Sequence, residues 1–186
     1  MKSKSCWGSL TLLNVPGWTG SGPGHWMSLW ERDDPGIVRV KQADWDRPDP
    51  AAWTAELEAS VQRAATVVVL VAHSCGVSTV QRWAQSGECR VASAFLVAPP
   101  DPEQPDAPAA VSCFRPMRDF PLPFPSLVIG SSNDPTCTLL RAEEFARDWR
   151  ARFVDVGDAG HLNTASGHGP WQEGRKLLTA VIDAGR

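Results

Sequence analysis

Apolar residues along this chain come in short blocks separated by polar, glycine- and proline-bearing punctuation. The clearest block is Thr66 to Ala72 (TVVVLVA), β-branched and apolar on every face. That pattern predicts a strand covered by helices on both sides. Shorter blocks at Ser9 to Val15, Ile37 to Val40, Val91 to Val97, Ser126 to Ile129 and Arg152 to Val156 predict further strands. Between them, "HWMSLWER" puts Trp26 and Trp30 on one helical face, and the stretch 51–64 follows Pro50 as a helix should. Val77 to Gln85, Leu139 to Arg150 and Trp171 to Ile182 complete the predicted helices. Strand alternating with helix implies one α/β domain over residues 1–186, with a mainly parallel sheet of about six strands and right-handed crossovers. Such sheets carry their sites at the carboxyl ends of the strands.

One segment has no period. Residues 99–125 (PPDPEQPDAPAAVSCFRPMRDFPLPFP) are too rich in proline for an internal helix or central strand. They read as a long surface connection. Phe114, Phe120 and Phe124 are expected to pin it to the body, the alternative being that they border a pocket.

Composition narrows the partners. With 42% hydrophobic and 21% charged residues and a formal charge of −3, the chain has the balance of a globular protein and no basic stripe for nucleic acid. No apolar run approaches the roughly 18 residues a membrane span needs. The N-terminal apolar patch is short and runs into Pro16-Gly17, so it reads as a strand and turn rather than a secretion signal, and a cytoplasmic location is expected. The five cysteines, Cys6, Cys75, Cys89, Cys113 and Cys137, form no C-x-x-C pair. Neither a disulfide framework nor a metal site is expected. Oligomeric state is left open.

The strand ends carry the candidate chemistry. Ala72-His73-Ser74-Cys75-Gly76 follows the central strand and resembles the G-x-S-x-G turn that exposes a nucleophilic serine, with Ala72 in place of the first glycine. A serine hydroxyl needs a base, and the base needs an orienting carboxylate. Downstream, His161 stands in a glycine loop just past a strand, whereas His168 precedes the last helix as a surface loop residue. Asp134, in "GSSNDP", lies past a strand; Asp106, Asp155 and Asp158 have weaker claims. Ser74, Asp134 and His161 follow one another in the order a serine triad on this architecture requires. Oxyanion donors are expected from the backbone N–H groups of Cys75 and Trp18. The glycine-rich run lacks G-K-[ST] and the βαβ context of a dinucleotide site, so no cofactor is expected. His73 faces away from Ser74 and is assigned a structural role. Gly17, His25 and Trp26 are candidate substrate-binding residues, packing against the sheet being the alternative for the last two.

The stretches "PGWTGSGPGHWMSLW" (16–30), "AHSCG" (72–76), "NDP" (133–135) and "GHLN" (160–163) resemble those of small α/β serine hydrolases related to retinoblastoma-binding protein nine. The resemblance spans nearly the whole chain. It implies an α/β-hydrolase-like, Rossmann-like three-layer sandwich without a lid domain, and a Ser74–Asp134–His161 triad. The function expected is hydrolysis of a small carboxylic ester, or a thioester or amide, at a shallow site suited to short acyl groups. The alternative is a non-catalytic module that binds a protein or small molecule through the same pocket.

Overall fold

A computed structural model describes residue 7, residues 10–86 and residues 90–184. Cys6, Cys89 and Ser9, the expected first residue of the first strand, lie outside the described residues. Six strands form one sheet in the order β2-β1-β3-β4-β5-β6. They are β1 (Leu10–Val15), β2 (Ile37–Arg39), β3 (Val67–His73), β4 (Val91–Val97), β5 (Ser126–Gly130) and β6 (Arg152–Asp155). Every pairing is parallel, so the mainly parallel sheet expected from the strand–helix alternation is entirely so.

Side-chain alternation along β3 explains how both faces are filled. Val68, Leu70 and Ala72 point into a cluster with Leu57 and Val61 of α2 (Pro50–Arg63), Val77 and Val80 of α3 (Cys75–Trp83), and Phe145 of α5 (Leu139–Asp148). Val69 and Val71 point the other way, toward Trp26 and Trp30 of α1 (Trp26–Asp33) and Leu178 and Val181 of α6 (Gln172–Ala184). The result is three layers, with helices on each side of a strand that is apolar on both faces.

The long connection is built differently from its expectation. It contains a short helix, α4 (Ala109–Ser112), and its backbone is anchored by side chains. Gln81 and Trp149 both donate to the Arg118 carbonyl, and Arg115 donates to the carbonyls of Pro102 and Gln104. Phe114 packs with Trp53 and Cys75, while Phe120 and Phe124 join the larger core cluster. The three rings pin the segment; other residues of it reach the site.

Topology fixes where that site lies. From β1 the chain runs outward to β2, then returns to place β3 on the other side of β1 and continues to β4, β5 and β6. The direction reverses between β1 and β3, and the crevice at such a point is where open α/β sheets bind ligands. Register brings Val15 beside Ala72, so Pro16-Gly17-Trp18 leaves the sheet next to His73-Ser74-Cys75.

Candidate active site

Ser74 occupies the single residue between the end of β3 and the start of α3, with φ 55° and ψ −129°. A positive φ is uncommon for a residue bearing a Cβ and costs on the order of 1–3 kcal/mol. The surroundings enforce it: the Ser74 N–H donates to the Val97 carbonyl of β4, and the Val77 N–H closes on the Ser74 carbonyl. Helix α3 therefore starts at Cys75, two residues before the hydrophobic pattern predicts.

The flanking positions are unequal. A Cβ at Gly76 would stand 1.9 Å from the Val15 carbonyl oxygen, inside β1's backbone. Ala72, by contrast, is wholly buried with its methyl in the apolar cluster. The missing first glycine of the motif is thus a packed methyl. Gly17 is required for a related reason, because a Cβ there would lie 2.7 Å from the Ser74 Cβ and 3.0 Å from the Cys75 nitrogen.

Two further loops converge on the serine. His161 follows β6, and its Nε2 is 2.9 Å from Ser74 Oγ. Its Nδ1 is 2.8 Å from Asp134 Oδ2. Asp134, which follows β5, is nearly buried, and its Oδ1 also accepts from the Thr136 N–H and hydroxyl. Asn133 joins the loops: its Oδ1 accepts from the Gly160 N–H at 2.6 Å and from the Ser131 hydroxyl. Ser131 in turn receives the Ala159 N–H, and its single hydroxyl hydrogen is shared between Asn133 Oδ1 and the Gly157 carbonyl.

The histidine loop is held from below by His73, for which the sequence pointed to a structural role without showing which loop it supports, and by Trp26. His73 Nε2 lies 2.9 Å from the His161 carbonyl oxygen, so that nitrogen carries the ring proton. Burial first, then the neighbouring His161 and His25, hold the His73 imidazole well below the usual histidine range. It is neutral at pH 7, with its ring beside those of His161 and His25. Trp26 is wholly buried and donates its indole N–H to the Leu162 carbonyl. Of the substrate-binding candidates, Trp26 is therefore a core residue supporting the loop, not a wall of the cavity. Gly17 backs the serine turn, and only His25 lines the cavity itself. A histidine next to the serine and an asparagine next to the acid were the available signals.

The cavity has a volume of about 500 Å³ and opens above Ser74. Trp18, Thr19 and Ser21 form the wall after β1, Thr136 and Asn163 another, and Asp101, Gln104, Asp106 and Val111 of the long connection a third. Among the described residues neither the Trp18 nor the Cys75 N–H meets a backbone carbonyl. The Cys75 thiol is buried and pushed up to about 11 by that burial, against the opposing pull of the nearby Trp18 N–H. It is a protonated thiol at neutral pH. The His25 Nδ1 accepts from the Met27 N–H at the start of α1. Burial and then Arg39 lower its imidazole to about 4. Among the described residues no group of three or more His, Cys, Asp and Glu is arranged to hold a metal ion. No helix there is long and apolar enough to cross a membrane.

A parallel sheet, a serine on a strained strand-to-helix turn, and acid and histidine loops later in the chain are the features of an α/β-hydrolase fold. Comparison with known proteins gives the particular group: the chain belongs to the serine hydrolase family, whose model matches residues 12–180. It is similar to a YdeN-like hydrolase from Pectobacterium atrosepticum, with 33% identity, a TM-score of 0.85, and 95% of this chain and 92% of that one covered. The ydeN gene product of B. subtilis shares 18% identity, with a TM-score of 0.76 and coverage of 93% and 98%. A thermophilic esterase from Thermogutta terrifontis shares the fold at 17% identity and a TM-score of 0.68, covering 93% and 90%. No curated protein sequence matches the chain. The small α/β serine hydrolase group expected from the sequence motifs agrees with this family.

Proposed function

We propose that this hydrolase cleaves small carboxylic esters, or the related thioesters or amides, through an acyl-enzyme on Ser74, and that it acts in the cytoplasm on a small-molecule substrate. The observation that carries this reading is the continuous line Ser74 Oγ to His161 Nε2 to Asp134, at 2.9 and 2.8 Å. His161 takes the hydroxyl proton as Ser74 attacks the carbonyl, and Asp134 holds the ring's tautomer and stabilises the imidazolium. The tetrahedral oxyanion is held by the Cys75 and Trp18 N–H groups, each such donor contributing roughly 3–4 kcal/mol to the transition state. His161 then returns the proton to the leaving group, and water, activated by the same ring, releases the acid. Serine rather than cysteine is the nucleophile because the neighbouring thiol is buried and protonated.

A fluorophosphonate probe tests the assignment. Labelling confined to Ser74, with loss of p-nitrophenyl acetate hydrolysis in Ser74→Ala, is the expected result. A non-catalytic binding module would remain unlabelled, and parental activity in Ser74→Ala would overturn the reading.

A further inference from the structure

The cavity beside Ser74 has a marked charge imbalance. Among the described residues its ionisable lining consists of three histidines, His25, His73 and His161, and two carboxylates, Asp101 and Asp106, with no lysine or arginine. His25 and His73 are held neutral at pH 7 by burial. Neither therefore offers a standing positive charge to a bound anion.

Two guanidiniums lie beside the acidic wall, and both are committed: Arg115 donates to the Pro102 and Gln104 carbonyls, and Arg141 is held by carboxylates. Arg141 lies 3.8 Å from Asp101 but 2.6 Å from Glu103 and 3.1 Å from Glu144. With Asp106, the four carboxylates outnumber the two guanidiniums, so the wall remains net negative where it meets the cavity. Asp106 stands exposed at the lip.

Another feature of the cavity points to a bound molecule. Trp18 is 40% exposed, although it is a large apolar side chain. Its indole N–H is tied to the Asp46 carbonyl, which fixes the ring at the lip. Trp18 follows β1 and Asp101 follows β4, so they flank Ser74 from the two strands that neighbour β3. His25 Nε2 is buried with no hydrogen-bond partner among the described residues. An indole face opposite carboxylates is a favourable environment for an ammonium group, and carboxylates facing a partly desolvated space repel an anion.

We propose that the cavity selects by charge, accepting neutral and cationic acyl substrates and rejecting anionic ones, with Asp101 and Asp106 as specificity-determining residues. The inference rests on the esterase reading above and adds a substrate class to it. Amine- or quaternary-ammonium-bearing esters and thioesters are favoured; carboxylate-bearing or phosphorylated leaving groups are disfavoured.

Three acetyl thioesters test it: acetylthiocholine, its neutral carbon isostere 3,3-dimethylbutyl thioacetate, and S-acetyl-3-mercaptopropanoate, each followed by release of free thiol. The expected kcat/KM is highest for the cationic ester and at least tenfold lower for the anionic one. Asp106→Asn should compress that ratio several-fold, and Asp106→Lys should compress it further. High salt should also narrow the ratio. Equal kcat/KM for the cationic and anionic esters, or a ratio unchanged in Asp106→Lys, overturns charge selection while leaving the hydrolase reading intact. Failure to turn over any of the three above the uncatalysed rate overturns both.

Discussion

Gly76 and Ala72 stand two residues either side of Ser74, yet only one has room for a side chain. The 1.9 Å approach at Gly76 is to main-chain oxygen, which cannot swing aside as a side chain can. Gly76→Ala should therefore displace β1 from β3 and cost about 3 kcal/mol or more of stability, read by urea denaturation, with activity lost. Ala72→Gly should cost only about 1 kcal/mol, and esterase activity should survive. Cys75 belongs to the same argument, since its role is assigned to its N–H and not its thiol. Cys75→Ala should retain most of kcat/KM, and at pH 8 iodoacetamide should modify exposed Cys113 well before buried Cys75. Asp134→Asn should leave the fold intact and reduce kcat about 10⁴-fold, because the amide no longer fixes the histidine tautomer.

At the scale of elements, β3, β4 and the helices packed on them were legible because burial on two faces leaves a continuous apolar run. Helix starts were less so. The pattern puts the helix after the serine at Val77, since Cys75 and Gly76 carry no periodic signal, but the elbow begins it at Cys75. The convergence of Ser74, Asp134 and His161 was readable from their places after strands. The supports were not: the His73 to His161 and Asn133 to Gly160 contacts join residues 88 and 27 positions apart. Local patterning has no access to such pairs. The connection at 99–125 shows the same limit, since its part in the cavity depends on anchors elsewhere. Arg141→Ala should release Asp101 and Glu103, raising KM for the neutral thioester several-fold with kcat within twofold, and lower stability by about 1 kcal/mol.

For the whole molecule, the buried histidines set the response to acid. His25 titrates near 4 in the folded protein and at 6.5 when unfolded, so the unfolded chain binds more protons between those values. Stability contributed by the neutral ring is complete above pH 6.5 and is lost as pH falls toward 4, by on the order of 3 kcal/mol. His73, depressed in the same direction, adds to the slope. His25→Asn, which can still cap α1, should flatten the decline between pH 6.5 and 4 in urea titrations.

Trp18 has one more consequence. The chain contains nine tryptophans and no tyrosine, so its ultraviolet emission is indole emission alone. Trp26, Trp30, Trp53, Trp83 and Trp149 are shielded from water, whereas Trp18 is 40% exposed at the mouth of the cavity. The lip residue thus serves as a built-in optical gauge at the red edge of the spectrum, positioned to report in real time when the cavity fills.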